Sequence, residues 1–499
     1  MAHPRSILSS GVLLSKRRLL PWWAWGPQGQ PQASLSSAGK GNFTQAASEP
    51  SQGERKPWEG QPGQDLGFWQ ERLADQLLPL WRLNYDEQLK VKFEVTKKTL
   101  EKLQSRLHKL STVVAEAQGL GALLQPFIPS PVIDGYRNKS VFSINRGPDG
   151  HPRTVGCFLR SPGGKTIFCV PAGHLRALPT RHLQVAQCYE AFLRQTPLDP
   201  NLDIDKLGPW RRLRVRTSSL GHTMAIITFH AQGLSQEAIC AQKERAKEFF
   251  MSGPGSVCNL TSLYLKERVT PSLQQSCFHR YQLLAGEPHM FEDILGLKHR
   301  ISPGAFFPLN MGATEALYRV VAELGRVDQS TVILDLSFST GAMGLSLARW
   351  AAQVLSLQLV GQAMEDAKWS MAFNEITNWE CQRRDVKKAV ARLGKCQGDG
   401  QVLVALVDPA GARLCKRVPR GSSSPAHRVI HAIRGCPAIQ KLVFISGRPH
   451  AEDMETFLQL CCPNSGQDLQ GEPFTLSQAV PVDMLPHTLS SQLVLTFTR

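Results

Sequence analysis

The last third of the chain alternates short apolar segments with segments of helical periodicity, and this alternation constrains the fold more than any other feature. The predicted strands are 332–336, 353–360, 402–407, 441–446 and 492–498, and the predicted helices are 341–352, 363–374, 427–433 and 452–460. Strands that alternate with helices form a parallel sheet with helices on both faces. We therefore expect an α/β fold in which residues 315–499 form a doubly wound, Rossmann-like domain.

The segment before this domain is predicted to be helical over residues 68–125. Leu73, Leu77 and Trp81 recur at helical spacing, as on the buried face of an amphipathic helix. A second run, 89–110, contains many Lys and Glu residues. Its charges predict an exposed helix with a solvated face.

Residues 126–314 differ in character from both flanking segments. The run 139–146 alternates polar and apolar residues, and a Gly-Pro-Asp-Gly turn follows it. This pattern predicts a hairpin, and further short strands and helices indicate a central α+β region. Residues 46–67 are rich in Gln, Gly, Ser and Pro, which predicts a disordered linker.

The N-terminal residues 1–45 have the composition of a mitochondrial transit peptide. The first acidic residue is Glu49, and the residues before it include Lys16, Arg17 and Arg18 among Ser and Leu. Basic, Ser-containing and acid-free segments of this kind direct proteins to mitochondria. We expect the protein in the mitochondrial matrix, and the alternative is a disordered tail without a targeting role.

Charge and cysteine content limit the classes of partner. The 499 residues include 57 Lys and Arg against 41 Asp and Glu, a net charge of +16. This excess favours an acidic partner such as nucleic acid, although a basic surface also serves solubility. None of the 12 cysteines forms a CxxC pair, which predicts a reducing compartment and no metal site. No apolar run reaches the ~18 residues of a membrane span.

The residues that follow the predicted strands are candidates for a ligand site, because open α/β sheets bind ligands at the carboxyl ends of their strands. Asp335 ends the first strand, and Gly341 opens the next helix in the manner of a nucleoside-cofactor loop. Gln358 stands where an acid would bind ribose hydroxyls. Asp408 follows the third strand, and Gly447 follows the fourth.

Three further stretches complete a recognisable pattern: Gly-Tyr-Arg-Asn-Lys at 135–139, Ser-Pro-Gly-Ala-Phe-Phe-Pro-Leu-Asn at 302–310 and Val-Asp-Met-Leu-Pro-His-Thr at 482–488. With Asp335 and Asp408 they resemble the S-adenosylmethionine-dependent RNA (uracil-5-)-methyltransferases over roughly residues 75–499. The resemblance implies a class I methyltransferase domain and a central RNA-binding domain. It also implies S-adenosyl-L-methionine as cofactor and tRNA, of the position-54 type, as substrate, with mitochondrial ribosomal RNA as a possible second one.

The resemblance also assigns roles to individual positions. In the family, a cysteine thiolate adds to C6 of uracil so that C5 accepts the methyl group, and a glutamate then removes the C5 proton. Here Gly447 occupies the cysteine position, and Gln492 occupies the glutamate position. The implied cofactor positions are Pro308, Asp335, Gly341, Gln358 and Asp408, and the implied RNA contacts are Tyr136, Arg137 and Lys139.

Several of these positions depart from the family pattern. Glycine has no side chain to attack C6, and glutamine does not accept a proton as a carboxylate does. Pro308, Gln358 and Ser339 replace family residues in the cofactor pocket, so we expect weakened S-adenosylmethionine binding. Cys461 and Cys462 follow a helix of ~15 Å, which places them too far away to substitute.

Three functions remain open. The first is a mitochondrial methyltransferase that forms 5-methyluridine in tRNA, with ribosomal RNA as a second candidate substrate, despite its substituted catalytic positions. The second is a catalytically inactive RNA-binding homologue with the same fold. The third is a scaffold that binds neither RNA nor cofactor, and the retained basic stretches argue against it.

Overall fold

Two seven-stranded sheets organise the chain in a computed structural model. It describes residues 65–110, 119–161, 166–196, 209–231, 234–268, 279–337, 340–357, 361–382, 389–390, 400–409, 425–449, 452–462 and 471–499. The predicted transit peptide, 1–45, lies outside these residues, as does nearly all of the linker. Gln358 and Ser339 lie outside them as well.

The N-terminal helical segment consists of two helices, α1 (Leu66–Leu77) and α2 (Tyr85–Leu110), separated by a turn that contains Pro79. Asp65 caps α1 by accepting a hydrogen bond from the Gly67 N–H group. This interaction satisfies one of the free amides of the first turn.

The prediction that α2 is an exposed helix is wrong for one of its faces. The buried residues of α2 are Gln88, Lys92, Thr96, Thr99, Leu100, Leu103 and Leu107. They recur at three- and four-residue intervals, so they share one face of the helix. This face packs on the C-terminal sheet, and the charged residues of the run other than Lys92 are exposed to solvent.

The central sheet has the strand order β3-β2-β1-β4-β5-β6-β7 and is antiparallel except between β5 and β6. Its strands are β1 (Lys139–Asn145), β2 (Thr154–Arg160), β3 (Ile167–Val170), β4 (Trp210–Thr217), β5 (Thr223–Phe229), β6 (Ser262–Arg268) and β7 (His279–Gly286). Helices α3 (Thr180–Gln195) and α4 (Gln236–Met251) cover one face and form an apolar core with it. The hairpin predicted after residue 139 corresponds to β1 and β2.

A short hairpin and one helix lead from the central sheet to the C-terminal sheet. The hairpin pairs β8 (Met290–Ile294) with β9 (Leu297–Ile301), and α5 (Met311–Gly325) follows. The Asn310 side chain caps α5 by accepting a hydrogen bond from the Ala313 N–H group at 3.2 Å. Helix α5 spans the boundary predicted between residues 314 and 315.

The C-terminal sheet has the order β12-β11-β10-β13-β14-β16-β15. Its strands are β10 (Thr331–Leu336), β11 (Gln353–Leu357), β12 (Trp379–Gln382), β13 (Val402–Val407), β14 (Ile439–Ser446), β15 (Thr475–Val482) and β16 (Gln492–Thr498), and its helices are α6 (Ala342–Ala348), α7 (Gly361–Phe373), α8 (Pro425–Arg434) and α9 (Glu452–Cys461). Strands β10 to β14 are parallel. This confirms the predicted α/β, doubly wound class, with a topological switch point between β10 and β13.

The sequence did not predict β15, which forms an antiparallel edge with β16. It contains Pro481, a residue that sheets tolerate mainly at edges. The segment 124–128 covers this edge, because the N–H groups of Gln125 and Ile128 donate to the carbonyls of Ala479 and Pro481 at 2.8 Å each. No helix within the described residues is long and apolar enough to cross a bilayer.

A buried ion pair joins α2 to the segment after β15. The Lys92 Nζ atom lies 2.7 Å from the Asp483 Oδ1 atom, and neither side chain is exposed. The Tyr85 hydroxyl donates to the other Asp483 oxygen at 3.0 Å, and Lys92 also donates to the Leu485 carbonyl at 3.1 Å. Burial lowers the pKa of Lys92, and the Asp483 carboxylate opposes that shift.

Replacement of Lys92 by methionine should destabilise the fold strongly. The change leaves the Asp483 charge buried without its cation, which typically costs about 3–5 kcal/mol. The midpoint of urea unfolding measures the loss. Lys102→Met, on the exposed face of α2, is the matched control and should change the midpoint little. Equal midpoints for the two variants would contradict a structural role for the ion pair.

Candidate functional site

A cleft of about 380 Å³ opens at the carboxyl ends of the parallel strands. Its lining comes from the segments that follow β10, β13 and β14, together with the start of β1, the segment before α5 and the segment before β16. The lining residues are Lys139, Phe306, Pro308, Leu309, Asn310, Thr314, Leu317, Tyr318, Ser337, Thr340, Met343, Asp408, Ile445, Gly447, Arg448, Met484, Leu485, Ser490, Ser491 and Gln492. The volume is in the range of small-molecule sites, ~300–1,000 Å³.

The turn after β10 is built around the buried carboxylate of Asp335. This carboxylate accepts hydrogen bonds from the Ser337 N–H group at 3.0 Å and from the Ser356 hydroxyl at 2.7 Å. A Cβ atom on Gly344 would lie 2.5 Å from Asp335 Oδ2, so only glycine lets α6 approach the strand this closely. Asp335 is 1% exposed and supports the turn from beneath instead of lining the cleft.

Gly341 opens helix α6, as its position in the sequence predicted. Its φ of +73° is the left-handed conformation that glycine adopts without strain, and Gly341 directly precedes α6. Ser337 and Thr340 of the same turn line the cleft. Gly341 itself is not a lining residue.

Asp408 lines the cleft at the end of β13, next to the buried phenol of Tyr318. Burial raises the pKa of Tyr318, and the charges of Asp408 and Asp335 raise it further. Asp408 is the sole carboxylate among the described lining residues. A cation or an amino group of a ligand would therefore be attracted to this side of the cleft.

Gly447 lies on the loop between β14 and α9, at the opening of the cleft. The Ser446 hydroxyl donates to the buried Asp453 carboxylate at 2.5 Å, and the Arg448 N–H group donates to it at 3.4 Å. These bonds hold the loop from its two flanks. A Cβ atom on Gly447 would meet no heavy atom of the described residues within 4 Å, so the loop has room for a side chain there.

Gln492 is the first residue of β16 and lines the same cleft as Gly447. Its Oε1 atom is buried and has no hydrogen-bond partner within the described part of the chain. Ser490 and Ser491 lie beside it. The cleft thus brings together the two positions to which the resemblance assigns nucleophile and base, and neither carries the required group.

Two asparagines join separate motifs around the cleft. The Asn138 side chain donates to the Pro308 carbonyl at 2.7 Å, and its N–H group donates to the Leu309 carbonyl at 2.9 Å. The Asn310 amide donates to the Ser130 hydroxyl at 2.9 Å and to the Met484 carbonyl at 3.2 Å. Both residues lie within the sequence motifs 135–139 and 302–310, but the resemblance assigns neither of them to the site.

Lys139 brings a positive charge into the cleft. Burial and the nearby charges of Arg216, Arg214 and Arg137 lower the pKa of Lys139 to about 8. Its ammonium lies 5.7 Å from the centre of the Phe306 ring. An anionic ligand would offset the repulsion between these cations and raise the lysine pKa.

The other two predicted RNA contacts lie elsewhere. Tyr136 is 6% exposed, belongs to the core of the central domain, and donates its hydroxyl to the Pro486 carbonyl at 3.2 Å. A base cannot stack on a ring in that position. Arg137 is half-buried and is not a lining residue of the cleft.

No described cysteine lines the cleft. Cys461 packs in the core beneath the sheet, and burial raises the pKa of its thiol to about 12. The Cys462 carbonyl accepts a hydrogen bond from Arg434 at 2.8 Å at the far end of α9. The described residues also contain no cluster of His, Cys, Asp or Glu that would hold a metal ion.

Comparisons with known proteins identify relatives along the whole chain. It is 47% identical over 508 residues to tRNA (uracil-5-)-methyltransferase homolog B of Mus musculus, covering 100% of both chains. It is 49% identical to the Homo sapiens homolog B, covering 99% of this chain and 97% of that one. The Homo sapiens homolog A is 34% identical over 86% of this chain and 68% of its own length. No family model matched the chain.

A solved structure shares the fold. It is the tRNA (uracil-54, C5)-methyltransferase of Pyrococcus abyssi in complex with S-adenosyl-L-homocysteine, with a TM-score of 0.53 and 18% identity. The match covers 84% of this chain and 85% of that chain. Together with the full-length relatives, it confirms the resemblance found in the sequence: the chain belongs to the S-adenosylmethionine-dependent RNA (uracil-5-)-methyltransferase family.

Proposed function

We propose that this protein is an RNA-binding member of its family that does not form 5-methyluridine, and that it binds tRNA in the mitochondrial matrix. One observation carries the proposal: Gly447 and Gln492 line the same cleft, and no described thiol reaches it. The alternative, formation of 5-methyluridine in tRNA or ribosomal RNA, requires a nucleophile that the described residues of this cleft do not offer.

The cost of the missing groups supports an inactive cleft. C5 of uracil becomes nucleophilic once a thiolate adds to C6, and glycine cannot make that bond. Loss of a covalent nucleophile commonly lowers the rate by roughly 10⁴-fold or more. The Gln492 amide is no proton acceptor at neutral pH, so removal of the C5 proton would lack its base as well.

The cleft fits S-adenosyl-L-methionine, which supplies a methyl group when bound, in size and in part of its chemistry. Asp408 is suited to the positively charged part of the molecule, and Ser337 and Thr340 offer hydroxyls. Pro308 offers no side-chain amide, and both oxygens of Asp335 already have protein partners. These residues support weak binding.

We expect an affinity for S-adenosylmethionine at least ~10-fold below that of a family member with intact motifs. Each charge-assisted hydrogen bond that is lost typically costs about 1.5–3 kcal/mol. Titration calorimetry on the full chain measures the dissociation constant. Affinity equal to that of the intact relative would refute the weakened pocket.

A basic face of the central sheet supports the RNA-binding part of the proposal. Lys139, Arg214 and Arg212 project from the face opposite α3 and α4, and Lys266 extends the same surface. No described residue of β1, β4, β5 or β6 on this face carries a carboxylate. The surface leads directly into the cleft through Lys139, so a phosphate backbone on the sheet can deliver a base to the cleft.

RNA affinity should fall as the pH rises from about 7 to about 9. The pKa of Lys139 is lowered to about 8, so its charge is present below this value and lost above it. Losing one charge-assisted phosphate contact should weaken tRNA binding about tenfold. Lys139→Arg keeps the charge throughout this range and should remove the pH dependence, whereas Lys102→Arg on α2 should retain it. Fluorescence anisotropy with a tRNA transcript measures the affinity of the unaltered chain and of both variants at each pH. An affinity that does not change with pH in the unaltered chain would disprove the role of Lys139.

The acid-free segment 1–45 supports a location of the protein in the mitochondrial matrix. Import into isolated mitochondria, with and without these residues, tests it. Protection from external protease that does not depend on the segment would contradict its role as a targeting signal.

A trapping experiment with 5-fluorouridine RNA tests the catalytic part of the proposal. Fluorine at C5 blocks the final proton removal, so an active family member accumulates a covalent adduct after methyl transfer. The unaltered chain should give no stable adduct on a denaturing gel, because Gly447 cannot attack C6. An adduct in the unaltered chain would refute the proposal and would indicate another thiol.

A second experiment restores the missing thiol at residue 447 and the missing carboxylate at residue 492 and should give a positive result. Gly447→Cys should form an adduct, because the loop has room for a side chain at this position. Adding Gln492→Glu should permit turnover on unmodified RNA. Gly447→Ser is the matched control, since it fills the same space without a thiol and should give no adduct.

A further inference from the structure

We propose that three aromatic side chains on the outer surface of the C-terminal domain form a stacking surface for single-stranded RNA. These are Phe291 on β8 and Trp369 and Phe373 on α7, named here the aromatic ladder. The proposal deepens the RNA-binding function proposed above and rests on it. It adds a contact surface on α7 that is separate from the basic face of the central sheet.

The first observation is the orientation of α7. The helix turns small and polar side chains toward the protein, since its buried residues are Ala363, Asp366, Ala367 and Ser370. Phe373 is 53% exposed, and Trp369 is half-buried. Helices of globular proteins normally bury their large apolar residues. Folding within this chain therefore leaves the largest apolar side chains of α7 without full burial.

The second observation is the regular arrangement of the rings. The Phe291 and Trp369 ring centres are 5.0 Å apart at an angle of 41°, and the Trp369 and Phe373 rings stack at 5.0 Å and 15°. His222 extends the series with its ring 5.8 Å from Phe291. With His222 added, the series of rings runs from the β4–β5 turn of the central domain to the end of α7.

The third observation is that cations accompany the rings. The Lys298 Nζ atom lies 5.0 Å from the centre of the Phe373 ring, and the Arg300 guanidinium lies 5.8 Å from that of Trp369. Arg300 is also paired with the buried Asp366 at 3.0 Å. The cations are therefore placed beside the aromatic faces before any ligand binds.

Hydrogen bonds between the Asn374 and Ser370 side chains and the backbone of β9 hold the rings and cations in place. The Asn374 amide donates to the Lys298 carbonyl at 2.8 Å, and its oxygen accepts from the Lys298 N–H group at 3.0 Å. The Arg300 N–H group donates to the Ser370 hydroxyl at 3.0 Å. Strand β9 is thereby fixed along α7, and the rings and cations keep a constant spacing.

One exposed ring, Phe373, and two half-buried rings with cations beside them suit a single-stranded nucleic acid, because bases stack on aromatic rings while cations pair with the phosphates. Lys368 adds a further exposed cation on α7. The exposed acids of the helix are Glu365, which accepts a hydrogen bond from Gln362 at 3.3 Å, and Glu375 beyond its end. Glu365 lies one helical turn before Trp369, and Glu375 lies two residues after Phe373. Lys298 and Arg300 each lie within 6 Å of a ring centre.

The ladder is connected to the cleft. The Gln362 amide donates to the Ser302 hydroxyl at 3.1 Å, and Ser302 donates to Asp366 through its N–H group and its hydroxyl. The segment after Ser302 continues to Phe306 and Pro308 of the cleft. Phe373 lies ~10 Å along the helix from Asp366, and the proposal places this ring on the route of an RNA strand that has one base in the cleft.

Binding of a short oligouridylate and of a tRNA transcript tests the ladder. Phe373→Ala should weaken oligouridylate binding roughly fivefold or more, with an unchanged dependence on salt. Phe373→Tyr keeps the ring and should retain the affinity. Phe68→Ala removes a ring of comparable exposure, 41%, from α1, outside both proposed RNA surfaces, and should have a smaller effect.

The charge of Lys298 is tested separately. Lys298→Gln should reduce the slope of log K against log salt by about 0.7, the value for one phosphate contact on a single strand. Lys102→Gln on α2 is the matched control and should leave the slope unchanged. Thermal unfolding of each variant shows whether the protein remains folded.

The outcomes separate this proposal from the function on which it rests. If Arg214→Gln weakens RNA binding while Phe373→Ala and Lys298→Gln do not, RNA binding stands and the ladder proposal falls. If the unaltered chain binds no RNA, both fall. If Phe373→Ala instead converts a dimer into a monomer in size-exclusion chromatography, the ladder is a contact between two copies of the chain.

Discussion

The ion pair between Lys92 and Asp483 is the constraint on which the cleft depends. The two residues are 391 positions apart, and their side chains are completely buried. A charge in this environment is tolerated when its partner is in contact, so α2 and the segment after β15 must meet in one relative position. That segment continues through Met484 and Leu485 into the wall of the cleft. The N-terminal helices thereby fix the geometry of a site built mainly at the other end of the chain.

Hydrogen bonds from side chains to backbone carbonyls join motifs of both folded regions into the cleft. Asn138 binds the carbonyl of Pro308 and Asn310 binds that of Met484, so amide side chains from one motif take up the carbonyls of another. Arg216 acts in the same way, since its buried guanidinium donates to the carbonyls of Ser302 and Ala305. These bonds are independent of Gly447 and Gln492. The cleft can therefore keep its shape although the groups for covalent chemistry are absent.

Apolar periodicity in the sequence predicted the parallel strands β10, β11, β13 and β14, because burial on both faces produces uninterrupted apolar runs, as in 402–407. The short parallel strand β12, which is mostly half-buried, was not predicted. The same signal missed β15, whose polar residues and Pro481 belong to an edge, and it misjudged α2, whose buried face includes Lys92. Residue type at motif positions singled out Gly447, Gln492, Asp408, Pro308 and Lys139, and these five residues line one cleft in the structure. It did not distinguish Asp335 and Tyr136, which are buried next to the site, from residues that line it. That distinction depends on side-chain direction, which the sequence pattern does not contain.

The loop that carries Gly447 has a consequence for how this position tolerates change. The loop keeps its conformation through Ser446 and Asp453, and the space above Gly447 is open. The conformation of the loop therefore depends on its neighbours, while a Cβ atom at residue 447 would clash with none of the described residues. A protein whose activity at this point is no longer required can lose the side chain without unfolding, and mutational drift at this position would leave the level of folded protein unaffected.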